Sequence, residues 1–310
     1  MSYLIGIDGG GTKTHAVLTN LNGEKLFECF GGPSNFLILG TEKVSETILE
    51  LIDSCNNYLN ISYNDISFVL LGTTGAGRRS DAELLENDFQ SYLTSKNISI
   101  KNFRVESDAR VALEGAFSGK PGSILIAGTG SIMFGKDKDG NIHRVGGFGR
   151  YIGDEGSGYS IGKKALTAVA KSFDGRGKKT ILSELIAGKF GIVSSEKLIT
   201  EVYKNNFDVA SVTPLVLQAA EIKDETAIQI IESETDELIL HLKAMEEKIK
   251  EEVLSVAFIG GILSSKNVYS ELFAAKLNKQ VLNCRVKLPD YPPEYGAILM
   301  AQTQLKNSKG

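Results

Sequence analysis

Residues 3–14, Tyr3-Leu4-Ile5-Gly6-Ile7-Asp8-Gly9-Gly10-Gly11-Thr12-Lys13-Thr14, begin as an apolar, β-rich run and break on an aspartate followed by three glycines. Such a run bounded by glycine reads as a strand, and the apolar stretch Ala16–Leu18 before Asn22-Gly23 reads as its return partner in a hairpin. The pattern recurs over 124–140: Ile124-Leu125-Ile126, then Gly128-Thr129-Gly130-Ser131, then Ile132-Met133-Phe134 and an Asp139-Gly140 turn. A strand, a phosphate-sized glycine turn and a second strand are written twice. The chain therefore reads as a duplicated α/β unit with a cleft between the copies.

Outward from the first hairpin, Val44, Ile48, Leu51 and Ile52 at helical spacing predict a helix over about 42–59, and Phe68–Leu71 predicts a buried strand. Ser80 and Glu83 have capping-box spacing at the start of a second helix, followed by a strand around Ile98–Val105. The second half repeats this order more loosely. Helical patterns cover 160–172, 178–188, 195–206 and 225–252, followed by strands Ser255–Ile259 and Val281–Leu288. Apolar Ala227, Ile231, Leu238, Leu242, Met245 and Ile249 make the long helix an amphipathic packing element, whose charged face needs no ligand to explain it. The expected division is an N-terminal lobe over 1–115 and a larger C-terminal lobe over 116–310, with a helix near 294–305 packing back on the first.

The 310 residues, 42% hydrophobic, suffice for two cores. A net charge of -4 with no basic stripe makes nucleic acid an unexpected partner. Cys29, Cys55 and Cys284 lack CxxC spacing and read as reduced thiols. The N-terminal apolar run lacks a basic n-region and ends at Asp8, and no stretch of roughly 18 apolar residues occurs elsewhere, so the expectation is a cytoplasmic protein with no membrane partner.

Consecutive small residues let backbone N–H groups approach phosphate oxygens, and Gly10-Gly11-Thr12 and Thr129-Gly130-Ser131 both qualify. Neither is a P-loop or a dinucleotide fingerprint, because no Gly-Lys-Ser/Thr follows and each turn leads into a strand. Asp8 beside a bound triphosphate would be repelled unless Mg²⁺, held largely through water, stood between them; the alternative is that Asp8 caps its own turn. Lys13 is either a phosphate neutraliser or an exposed strand lysine. Asp108, between a strand and the apolar Val111-Ala112-Leu113, suits both a helix N-cap and a base that accepts a hydroxyl proton during phosphoryl transfer.

The glycine-rich stretch 146–158 presents Phe148 with Asp154 and Glu155, a combination of ring face and acceptors that a polyhydroxylated ring requires. Gly72–Arg78 and Pro33–Phe36 are either plain turns or further ligand contacts, and Gly260–Ser265 is a third glycine turn, sized for a flat ring such as adenine. His15, His143 and His241 have no partner spacing that assigns them to catalysis or metal.

Together, DGGGTKT at 8–14, SDA at 107–109, AGTGS at 127–131, GGFGRYIGDEGSG at 146–158 and GG at 260–261 resemble the N-acetylglucosamine kinase branch of the BadF/BadG/BcrA/BcrD ATPases. That family lies within the actin, Hsp70 and hexokinase superfamily. The resemblance implies two ribonuclease-H-like lobes, ATP and Mg²⁺ as cofactors, closure on an amino sugar, phosphorylation of its 6-hydroxyl, a role in cell-wall recycling and possible homodimers. It places Gly10, Gly11, Thr12, Lys13, Thr129, Gly130 and Ser131 at the phosphates, and Gly261 and Ser265 beside adenosine. Asp8 would serve Mg²⁺ and Asp108 would be the base. Asn35, Gly75, Ala76, Asp108, Gly147, Phe148, Gly149 and Asp154 would meet the sugar.

Where this branch commonly carries tryptophan within GGWG, the chain has Phe148 and no tryptophan at all. That leaves N-acetylglucosamine, glucosamine and N-acetylmuramic acid open, with Arg78 a candidate partner for a lactyl carboxylate. Two other functions are weighed. An ATPase activator of a 2-hydroxyacyl-CoA dehydratase or benzoyl-CoA reductase system would need paired cluster cysteines, and none lies beside the central glycine loops. A non-catalytic sugar sensor would usually carry a basic helix-turn-helix, whereas this sequence opens on its first strand at Tyr3.

Overall fold

In the computed structural model, which describes residues 2–308, the run ahead of Asp8 forms β1 (Tyr3–Gly9), paired antiparallel with β2 (Thr14–Asn20). Beyond β2 lies β3 (Lys25–Gly31), and on the other side of β1 lie β4 (Ile66–Thr73) and β5 (Phe103–Ser107), both parallel to it. β1 and β4 read as continuous apolar runs because both faces of the sheet are covered, as parallel strands require. Ile5, Ile7, Val69 and Leu71 pack with helices Thr41–Leu59 and Arg79–Ser95 on one face. Leu4, Phe68 and Leu70 alternate onto the other, under helix Pro293–Asn307.

The second sheet repeats the scheme. β6 (Gly122–Ala127), β7 (Ser131–Lys136) and β8 (Ile142–Gly146) form the antiparallel part, and β9 (Leu254–Ile259) and β10 (Cys284–Lys287) add parallel strands in the order β10-β9-β6-β7-β8. The chain divides into two units, Met1–Pro121 with Leu288–Gly310, and Gly122–Lys287. The dividing point lies beyond the residue 115 expected from sequence, and the C-terminal segment belongs with the first unit.

Close packing explains that attachment. A Cβ on Gly296 would lie 1.8 Å from the Val111 carbonyl oxygen, and one on Gly115 would lie 2.7 Å from that of Pro292. Only glycines let helix Pro293–Asn307 and helix Asp108–Ala116 touch at the backbone.

Several local expectations shift. The capping box at Ser80 does not form: the helix starts at Arg79 behind Arg78, and Glu83 pairs with Arg79 at 3.0 Å. The strand expected from Ile98 begins at Phe103, where pairing with Val69 starts, and that expected over 281–288 narrows to the four residues of β10 that pair with β9. The long helix stops at Ile249, because Lys250 turns left-handed at φ 54°. The helix expected over 178–188 runs instead over Leu182–Phe190. Helices Thr213–Glu221 and Val268–Gln280 were not expected from their mixed patterns. No helix among the described residues is long and apolar enough to cross a membrane.

Candidate active site

In the first unit the site residues gather at the carboxyl ends of β1, β4 and β5, where open α/β sheets present ligands. The ladders align Asp8 with Gly72 and Thr73 with Ser107, so Asp108 follows directly from the end of β5 into helix Asp108–Ala116. The cap is Ser107, whose side chain accepts from the Arg110 N–H at 3.2 Å. That leaves the half-buried Asp108 carboxylate to accept from Thr74 Oγ1 at 2.9 Å and from the Ala109 N–H at 2.8 Å. Two donors fix the carboxylate, which retains lone pairs for a substrate hydroxyl.

Asp8 is pushed up to about 7, chiefly by burial, then by the negative charges of Glu294 and Asp108, with Lys13 opposing. Glu294 is itself buried and lies 3.1 Å from His15 Nδ1. A divalent cation would relieve this crowding of carboxylates. With Asp8 as its near protein ligand it would keep most of its water, as Mg²⁺ does. The turn is closed by a 3.0 Å bond from the Gly10 N–H to the Lys13 carbonyl oxygen rather than by an Asp8 cap. Its base is closely packed, since a Cβ on Gly9 would lie 2.1 Å from Ser34 Oγ, while Gly11, Thr12 and Lys13 are exposed at the tip. Lys13 Nζ sits 5.6 Å from the centre of the Phe30 ring.

Asn35 lies beside Gly75. Its Oδ1 is buried without a hydrogen-bond partner, 3.3 Å from where a Gly75 Cβ would stand. Such an orphaned acceptor costs about 1–3 kcal/mol, which a ligand N–H or O–H would offset. Ala76 packs in the core of the unit, and the exposed Arg78 pairs with Asp81 at 2.7 Å.

In the second unit the glycine turn is docked on the start of helix Gly158–Phe173. The Gly158 N–H donates to the Gly128 carbonyl oxygen at 2.8 Å, and the Tyr159 N–H to that of Thr129 at 3.0 Å. Asp154, held at φ 60°, approaches so near that a Cβ on Gly130 would lie 3.0 Å from its Oδ2. Burial raises the Asp154 carboxyl, while the N–H groups of Gly149 and Ser131 oppose that rise. Ser131 Oγ donates to the Glu155 carbonyl oxygen at 2.6 Å, so its hydroxyl serves the loop.

Thr129 and Gly130 line a cavity of about 380 Å³ with Arg150, Asp154 and Tyr159. Thr129 also lines a second, of about 410 Å³, with Pro214, Leu217, Gly261, Ile262 and Ser265. Apolar walls and glycine backbone suit a flat ring. Gly260 makes this turn possible: its φ is 100°, and a Cβ there would lie 2.3 Å from the Ala127 carbonyl oxygen. Gly147 and Gly149 also have positive φ, at 70° and 86°, and Phe148 between them is 67% exposed with the Arg144 guanidinium 5.6 Å from its ring centre.

Sequence reasoning missed the supports. Glu234, 1% exposed, accepts from the Gly156 N–H at 2.6 Å and Ser160 Oγ at 2.9 Å, and pairs with Lys164 at 2.6 Å. The fully buried Tyr269 donates its hydroxyl to the Gly156 carbonyl oxygen at 2.9 Å. Glu234 lay on what read as the charged face of a packing helix, and only its burial distinguishes it. Thr74 lay in the Gly72–Arg78 turn without a role of its own, and Glu294 carried no motif signal. Cys29 and Cys55 lie with Sγ atoms 4.0 Å apart, Cys55 fully buried and Cys29 half-buried.

The sequence matches the model of the BadF/BadG/BcrA/BcrD ATPase family over residues 5–301. It is 36% identical over 311 residues to the N-acetylmuramic acid/N-acetylglucosamine kinase of Clostridium acetobutylicum, covering 98% of this chain and 99% of that protein. It is 30% identical over 317 residues to the N-acetyl-D-glucosamine kinase of Dictyostelium discoideum, covering 97% and 98%. A solved structure from Chromobacterium violaceum, described as a candidate N-acetylglucosamine kinase, aligns at a TM-score of 0.76 with 24% identity over 97% of this chain and 99% of that one. A ROK family glucokinase from Streptomyces griseus, solved with glucose and AMPPNP, aligns at 0.56 with 14% identity over 97% and 99%. The fold is that of the actin-like sugar kinases.

Proposed function

We propose that this chain, which belongs to the BadF/BadG/BcrA/BcrD ATPase family, is an ATP-dependent amino-sugar kinase that transfers the γ-phosphoryl group to the 6-hydroxyl of N-acetylglucosamine, with N-acetylmuramic acid and glucosamine as the other candidate acceptors. The class rests on full-length similarity to two kinases of that description, and the roles rest on the first unit's geometry. The observation that carries the reading is Asp108, a strand-end carboxylate pinned by Thr74 and Ala109 and set beside Asp8.

In this reading Asp108 accepts a hydrogen bond from the acceptor hydroxyl, aligns it and takes its proton as the phosphoryl group transfers. The apolar cavity beside Gly261 and Ser265 receives adenosine, and the Thr129-Gly130 turn and the tip Gly11-Thr12 hold phosphates through backbone N–H groups and hydroxyls. Mg²⁺, when bound near Asp8, supplies charge neutralisation at the phosphates. Asn35 Oδ1 takes a donor from the sugar, and Phe148, Gly147, Gly149 and Asp154 meet its ring and hydroxyls.

The test is ADP release from Mg·ATP against N-acetylglucosamine, N-acetylmuramic acid, glucosamine, N-acetylmannosamine and glucose, with a control lacking sugar. Release that depends on an amino sugar is expected, N-acetylglucosamine giving the largest kcat/KM. Release independent of every sugar would overturn the reading in favour of an ATPase activator.

A further inference from the structure

A cavity of about 580 Å³ in the second unit has none of the glycine-turn residues in its lining, and Lys163, Lys164, Lys171, Arg176 and Lys178 line it without a carboxylate among its lining residues. Helix Gly158–Phe173, which supplies three of these cations, contains no Asp or Glu, so within the helix no opposite charge offsets their repulsion. Three of the five are held from outside: Lys164 by Glu234 at 2.6 Å, Arg176 by Asp174 at 2.6 Å and Lys178 by Glu225 at 2.8 Å. Lys163 and Lys171 make no close ion pair among the described residues, although, after Arg176, Lys171 helps to hold the Asp174 carboxyl low, and they stand two turns apart on the same helix face with Thr167 between them. In a chain whose net charge is -4, this concentration of positive charge in a concavity focuses the field on an incoming anion.

We infer that this groove binds a phosphomonoester on a small polyhydroxylated body, the dianion between Lys163 and Lys171 and the body against Thr167, Thr226 and Gln229. The volume exceeds what a bare phosphate fills and falls in the range of small-ligand sites. Lys164 joins the groove to the site loop, because its partner Glu234 also holds the Gly156 N–H. Ligand bound beside Lys164 therefore alters the hold on Gly156.

Calorimetric titration of inorganic phosphate and of glucose 6-phosphate, at fixed ionic strength, tests this on the intact chain. Saturable binding of both is expected, tighter for glucose 6-phosphate, weakened about tenfold or more in the Lys163→Gln/Lys171→Gln double variant and kept within about threefold in the Lys163→Arg/Lys171→Arg double variant. No saturable binding to the unaltered chain, or equal binding to the glutamine variant, would overturn the groove assignment. Hydrogen exchange at the Gly156 amide should change on saturation with glucose 6-phosphate, and an unchanged rate with ligand bound would overturn the coupling. Neither variant touches a residue assigned to phosphoryl transfer, so a failed groove and a failed kinase assay are separate results.

Discussion

The two glycine hairpins start from nearly the same local text and end with different chemistry. The first, Gly9–Thr12, leaves its tip exposed and has its base fixed by Ser34, with Asp8, Asp108 and Glu294 gathered around it. The second, Gly128–Ser131, is backed by the start of helix Gly158–Phe173, has Asp154 against Gly130, and opens onto an apolar cavity. A glycine turn supplies backbone donors in both places. What the neighbouring elements add differs: carboxylates gather around the first turn, and apolar walls stand beside the second.

The comparison breaks most directly at Asp108. Asp108→Asn keeps the shape and the Thr74 contact but removes the proton acceptor, so turnover should fall by roughly 10²-fold or more with both KM values nearly unchanged. Steady-state kinetics on the best sugar checks this, and retained turnover would remove Asp108 from the role.

Asp8 sharpens the electrostatic side. Its folded-state pKa of about 7 lies above the ordinary value of 3.8, so the folded chain holds an extra proton between these values and loses stability as pH rises through that window. Asp8→Asn should flatten the slope and stabilise the ligand-free protein at pH 8 by about 2–4 kcal/mol while changing little at pH 4. Melting curves at the two pH values decide it, and parallel shifts at both would contradict the assignment.

Two smaller effects probe the second unit. Glu234→Ala leaves the buried Gly156 N–H and Ser160 hydroxyl without their acceptor, and denaturant unfolding should register a loss of about 1–3 kcal/mol. Gly260→Ala forces a Cβ against the Ala127 carbonyl oxygen at positive φ and should cost about 1–3 kcal/mol, whereas Gly11→Ala meets open space and should stay within about 0.5 kcal/mol. Equal melting temperatures for the two alanine variants would erase the contrast between a strained turn and a free tip.

By itself the sequence determined the duplication, because period-two apolar runs and glycine turns are local signals, and β1, β4, β6 and β9 each contain the strand cores read from them. It also marked Asp8, Asp108 and the 146–158 loop as candidates, because residue type and spacing are read without reference to neighbours. It left Asp108 divided between cap and base, and the structure gives the cap to Ser107. It could not find Glu294, which acts on Asp8 across a separation of 286 residues because helix Pro293–Asn307 packs against β1, where a Cβ on Gly6 would lie 2.2 Å from the Glu294 carbonyl oxygen. Nor could it separate Glu234 from a solvated face, since a helical pattern gives an acidic residue's position but not its burial. Local geometry is encoded in neighbours along the chain, whereas burial and long-range charge contacts depend on which surfaces meet, and those the tertiary structure alone decided.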